Sequence, residues 1–151
     1  MRFAAILTVL DEADLLPAAL DHLRRIGVGM TVLVDRGSSD GSRDVAREYE
    51  RDGDLWLLRA PRDDPAEQWT RLSVRIARAT GADYVLFPET HEYWLPRGGS
   101  LHDLGTEDRA HDTLVVEGFN VVIGPSGPLA PTVIRPEAYG DVLLHAQPIP
   151  D

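Results

Sequence analysis

The sequence predicts an α/β fold built on a mostly parallel sheet, and three observations predict it. Four short runs, Phe3 to Val9, Met30 to Val34, Leu55 to Leu58 and Tyr84 to Phe87, are predominantly apolar rather than alternating, as strands buried on both faces are. Between these runs, apolar residues recur at helical spacing. Two of the strands end abruptly in acidic loops, at the edge of an open α/β sheet where ligands bind. Strands alternating with helices over short loops imply a doubly wound sheet with right-handed crossovers.

Each element has its own signal. After the first strand, Asp11 or Asp14 is placed to cap a helix whose buried face is Leu16, Leu20, Leu23 and Ile26. Pro17 is tolerated only in its first turn, and Gly27 or Gly29 ends it. The second strand runs from Met30 into Asp35, followed by Arg36-Gly37-Ser38-Ser39-Asp40-Gly41-Ser42. Ser39 or Asp40 can cap the helix over Gly41 to Glu50, in which Val45 and Tyr49 lie one turn apart and after which Gly53 closes. Asp64-Pro65-Ala66-Glu67 offers a cap, a proline at the first helical position and a glutamate for a capping box. Trp69, Leu72 and Ile76 form the stripe of that third helix, and Gly81 stops it.

Beyond Trp94 the pattern weakens. Pro96-Arg97-Gly98-Gly99 is a loop, and Ser100 to Leu104 fits one helical turn. A strand is expected within Thr113 to Ile123, a turn or loop at Gly124 to Pro128, and short strands at Thr132 to Arg135 and Val142 to His145. No repeat or low-complexity tract interrupts the chain, so it is expected to form a single domain over residues 1–151.

Composition narrows the function. A net charge of −10 without a basic stripe argues against nucleic acid, since nothing would offset phosphate repulsion. The absence of cysteine removes disulfide frameworks and thiolate metal sites. All 15 basic residues are arginine, which excludes lysine chemistry. The opening Met1-Arg2-Phe3-Ala4-Ala5-Ile6-Leu7 has the flavour of a signal peptide, but Asp11, Glu12 and Asp14 follow with no small-residue cleavage site. No apolar run is long enough to span a bilayer, and a cytoplasmic protein is the expectation.

Three motifs in order carry a family resemblance. Asp11-Glu12-Ala13-Asp14-Leu15-Leu16-Pro17 resembles the Asn-Glu-x-x-x-Leu-Pro opening of family 2 glycosyltransferases with the GT-A fold. Asp35-Arg36-Gly37-Ser38-Ser39-Asp40-Gly41-Ser42 is similar to their Asp-x-Gly-Ser-x-Asp-Gly-Ser/Thr loop. Val85-Leu86-Phe87-Pro88-Glu89-Thr90-His91-Glu92-Tyr93 stands where their strand and Asp-x-Asp-Glu-Phe motif fall. Val133-Ile134-Arg135-Pro136 with the later His145 resembles a C-terminal pattern of some members. The resemblance implies a GT-A-like three-layer sandwich with a mostly parallel sheet. Residues 1–96 would form its nucleotide-sugar-binding half and 97–151 a shortened acceptor half.

It also implies roles. Asp35 would bond the base or ribose of a nucleotide-diphospho-sugar, Glu12 would line its pocket, Asp40 would shape the loop, and Arg71 or Arg75 would reach the nucleotide from the third helix. A divalent metal, Mn2+ or Mg2+, would lie at Glu89 and His91, with His145 a further ligand. Glu-x-His replaces Asp-x-Asp here. Carboxylate and imidazole both bind manganese or zinc, whereas imidazole suits magnesium poorly. An inverting transferase also needs a carboxylate base, for which Glu107, Asp108 and Glu117 are the candidates. His22, His102 and His111 read as surface or loop residues without a role. The leading expectation is a metal-assisted glycosyltransferase acting on an unknown acceptor. The alternatives are a non-catalytic nucleotide-binding remnant of the same fold, and a homo-oligomeric assembly module with Tyr93, Trp94 and Leu95 as its contact patch.

Overall fold

A computed structural model describes residues 1–96, 98–104, 123–124 and 127–128 of the chain. The chain divides into two units, Met1–Leu104 and Gly105–Asp151. The first holds a four-stranded, all-parallel sheet in the order β3-β2-β1-β4, an arrangement compatible with a Rossmann-like fold. Its elements are β1 (Phe3–Val9), α1 (Leu16–Ile26), β2 (Val28–Asp35), α2 (Ser42–Glu50), β3 (Leu55–Arg59), α3 (Ala66–Ala79), β4 (Tyr84–Leu86) and a 3-10 turn, Leu101–Asp103. In the second unit, β5 (Ile123–Gly124) pairs antiparallel with β6 (Gly127–Pro128), at the expected turn. The remaining expectations beyond Leu104 lie outside the described residues.

Because successive side chains of a strand point to opposite faces, β1 feeds two cores. Phe3 and Ala5 pack with Leu23 and Ile26 of α1, and Leu7 and Val9 with Leu16 and Leu20 of α1 and Ala46 of α2. Ala4 and Ile6, together with Val32 and Val34 of β2, pack on Val74 and Ala77 of α3. The result is three layers, with α1 and α2 on one face and α3 on the other. Burial on both faces is what the predominantly apolar runs predict, and it holds for β1 apart from exposed Thr8 and for β2 from Thr31 to Asp35.

Helix starts differ from expectation. None of the three helices has a side-chain cap. The cap position of α1 is Leu15, and the Glu12 carbonyl accepts from the Leu15 and Leu16 amides. Gly41 takes that position in α2, and Pro65 in α3, which therefore begins one residue later than its proline suggested. Glu67 closes no capping box; it accepts from Arg71 one turn on. At the other end of α1, Gly27 is left-handed with φ of 98°, so β2 begins at Val28, ahead of the expected Met30. The turn at Leu101–Asp103 does carry a capping box, made by Ser100 and Asp103.

The edge strand β4 is short. It pairs with β1 only at Phe3, Ala4 and Ala5, whereas β2 follows β1 as far as Val9. Pro88 lacks an amide for the ladder, and β4 stops at Leu86, leaving Phe87 outside the strand and exposed. Among the described residues, the carboxyl half of β1 therefore has no strand paired on its β4 flank. This is also where the strand order reverses, β2 and β3 lying to one side of β1 and β4 to the other.

Candidate functional site

Two loops at the carboxyl ends of β1 and β2 are fastened to each other by side chains read above as helix caps. Asp11 Oδ1 accepts from the Ser39 amide at 2.6 Å and its hydroxyl at 3.2 Å, while the Asp11 amide donates to Ser38 Oγ at 3.1 Å. Asp11 holds a positive φ of 55° to do so. Asp40 Oδ2 accepts from the Ala13 amide at 2.8 Å, and its Oδ1 accepts from the amide and hydroxyl of Ser42 at 3.0 and 2.6 Å. Ser42 Oγ in turn accepts from the Glu12 amide at 3.0 Å. The Ser42 hydroxyl above all, then the Ala13 and Ser42 amides, lower the Asp40 pKa to about 2.

Asp35 is the anchor beneath them. Its side chain has no exposed surface. Oδ1 accepts from the amides of Gly37 and Ser38 at 3.1 and 2.8 Å, and Oδ2 from Nε and Nη2 of Arg43 at 2.9 and 2.6 Å. Burial pushes this carboxyl up, but the Ser38 amide and the Arg43 guanidinium outweigh it and hold it below the usual range. All of these partners are internal, and Asp35 does not line the cleft described next. The sequence signal for Arg43 is a cation in the first turn of a helix, where the helix dipole disfavours it unless an anion is paired with it.

The cleft lies where β4 falls short of β1. It encloses about 370 Å³ and is lined by Ile6, Thr8 and Leu10 from β1 and its end, Glu12 from the first loop, Trp69 and Thr70 from α3, and Phe87 to Thr90 from the end of β4. Thr8 is exposed although both its neighbours in β1 are buried. Inside the wall, Trp69 Nε1 and Thr90 Oγ1 are buried without a hydrogen-bond partner among the described residues. The Arg36 guanidinium lies 5.1 Å from the centroid of the Trp69 ring. Its Nη2 donates to the Arg62 carbonyl at 2.7 Å, and its Nη1 is a third buried donor with no described partner.

Of the residues expected from sequence, the structure brings Glu12 and Glu89 to this cleft. Asp40 shapes the loop by fastening it, and Asp35 supports it from below. Arg71 is exposed, bonded to Glu67 at 2.6 Å, and Arg75 is exposed as well; neither lines the cleft. Glu89 Oε2 and His91 Nε2 lie 3.3 Å apart on exposed side chains. That separation suits two adjacent positions on one ion with bonds of about 2.1–2.3 Å. No group of three metal-ligating side chains occurs among the described residues. His145, Glu107, Asp108 and Glu117 lie outside them.

Of the histidines expected at the surface or in loops, His102 is exposed, whereas His22 is not. His22 is buried, donates from Nε2 to the Trp94 carbonyl at 2.7 Å and meets the Tyr93 ring edge-on at 5.0 Å, tying the segment after the Glu-x-His turn to α1. His102 meets the Phe3 ring edge-on at 6.3 Å. Trp69 reads in sequence as core, because indole and leucine are indistinguishable in a helical stripe. Thr90 reads as the spacer of Glu-x-His, and Thr8 as strand interior. The unpaired hydrogen-bonding groups of Trp69 and Thr90 become visible only when the facing wall is in place.

No helix among the described residues is long and apolar enough to cross a membrane. The described residues form an α/β domain with a cleft at the strand-order reversal of a parallel sheet. A comparison with models of known protein families finds no match, and a comparison with curated proteins finds none either.

Proposed function

We propose that the chain is a GT-A-like glycosyltransferase that binds a nucleotide-diphospho-sugar in the β1–β4 cleft and passes the sugar to an acceptor. The observation that carries this reading is the coincidence of a cleft at the strand-order reversal, unpaired hydrogen-bonding groups in its wall, and a carboxylate–imidazole pair at its rim. Such a reversal point is where open α/β sheets bind nucleotides. Thr8, Thr70 and Glu12 are disposed to bond ligand hydroxyl and N–H groups. Glu89 and His91 would hold a divalent ion, preferably manganese, which when bound offsets the charge of a diphosphate. The two cleft carboxylates repel phosphate without such an ion. The acceptor base expected at Glu107, Asp108 or Glu117 completes the reading.

A second reading, a nucleotide-binding domain without transfer activity, draws on a specific observation. Asp35, expected to meet the nucleotide, is internally bonded, and the rim pair supplies only two metal donors.

A thermal-shift panel separates the two. Uridine, guanosine, thymidine and cytidine diphosphates are each tested with manganese, with magnesium and without metal, since a ligand that binds only the native state raises its melting temperature. The proposal predicts a manganese-dependent shift with one nucleotide that His91→Ala removes. A metal-independent shift removed by Glu12→Ala favours the second reading. No shift with any pair overturns both.

A further inference from the structure

We propose that Trp69 Nε1 and Thr90 Oγ1, covered and unpaired in the free protein, become ligand contacts when a nucleotide binds and a side-chain rotation turns them into the cleft. The inference rests on the nucleotide reading and deepens it by naming residues that the sequence motifs do not. Thr90 is 1% exposed, lines the cleft and has no partner for its hydroxyl among the described residues. Its neighbours Glu89 and His91 are largely exposed, so one turn places a hydroxyl in the wall and a metal-binding pair on the rim. Trp69 lines the same cleft with its indole N–H equally unpaired, and the Arg36 guanidinium flanks its ring.

A buried donor without a partner lowers the stability of the protein that carries it. Valine at position 90 would fill nearly the volume of threonine without that penalty, and phenylalanine at 69 would keep a ring beside Arg36. A purely structural wall has no use for either polar atom. The indole N–H only donates, and the hydroxyl donates or accepts. The titratable side chains of the wall are the acids Glu12 and Glu89, and among the described residues no cationic side chain lines the cleft. The atoms that accept from Trp69 and Thr90 are therefore uncharged oxygens or ring nitrogens of the nucleoside, with the phosphates toward the rim.

The test uses the full chain as wild type, Thr90→Val, Thr90→Ser and Trp69→Phe. Melting temperature is measured without ligand. Affinity is measured by calorimetry, with manganese, for the diphosphate that shifts the wild type and for its monophosphate. Thr90→Val should melt at the wild-type temperature or up to about 4 °C higher, because it loses no partner. It and Trp69→Phe should each bind both nucleotides about three- to tenfold more weakly, the loss of one hydrogen bond. Thr90→Ser should bind within about twofold of wild type, since it restores the hydroxyl. Unchanged affinity in Thr90→Val and Trp69→Phe overturns the inference and leaves the nucleotide reading standing. So does a loss confined to the diphosphate, which would assign the contacts to phosphate. A wild type that binds no nucleotide overturns the reading and the inference together.

Discussion

Asp35 and Asp40 hold one loop by opposite means, and acid should tell them from ordinary surface carboxylates. Asp40 is open to solvent, yet its folded pKa of about 2 lies below the 3.8 of a free carboxyl. A depressed folded pKa adds stability above the unfolded value and loses it as pH falls through the folded one. Stability is therefore expected to be flat with respect to this group above about pH 4 and to fall between about pH 4 and 2. Asp40→Asn should flatten that part of the profile, measured by urea denaturation at stepped pH. Asp35 works from inside. Asp35→Ala strands the Arg43 guanidinium and the Gly37 and Ser38 amides, and is expected to cost about 2–3 kcal/mol, at the lower end for a buried pair because Arg43 is partly exposed. A loss below about 0.5 kcal/mol, the range of ordinary surface substitutions, would show that water replaces the carboxylate.

Among the elements, α1 is held at its C-terminal end and along its flank by the segment that follows β4. Its C-terminal Gly27 has φ of 98°, and a side-chain carbon added there would come within 2.8 Å of the His102 ring. Gly27→Ala therefore combines backbone strain with a clash against the 3-10 turn and should cost about 1–3 kcal/mol in thermal or chemical unfolding. On its flank, His22 reaches the Trp94 carbonyl. The edge strand β3 shows similar economy: the Leu57 amide donates to Glu50 Oε1 at 3.1 Å, so a carboxylate from α2 occupies a donor that faces away from β2. Such blocking is how natural sheets avoid pairing with other chains. Helix existence was readable from apolar spacing, whereas the cap positions were not. Asp11 is a competent cap by residue type but is taken by Ser39, 28 positions away, and Asp40 divides its carboxylate between Ser42, two residues on, and Ala13, 27 positions away. A propensity read over four residues has no access to the long-range bonds among these.

For the whole molecule, the strand order decides what the helices can contribute. Because β4 returns to the far side of β1, α3 crosses the face that ends at the cleft, and its Trp69 and Thr70 line it while Arg71 and Arg75 remain exposed. Arg71→Ala and Arg75→Ala should therefore leave nucleotide affinity within about twofold of wild type in the calorimetric titration, since neither lines the cleft and exposed ion pairs contribute little. A tenfold loss in either would require a nucleotide site outside the cleft.

The α/β class, the four strands, the three helices and the acidic ends of β1, β2 and β4 are legible in the sequence, because apolar periodicity and chain punctuation are local properties. So are Glu12 and Glu89, whose loops follow directly from strand ends. Three features emerge from the assembled fold: β4 stops short of the end of β1, Asp35 is bonded inward to Arg43, and Trp69 and Thr90 have no described partner in the cleft wall. The physical reason is common to all three: whether a polar atom is satisfied depends on neighbours brought from distant parts of the chain, and a strand's useful length depends on the strand it pairs with.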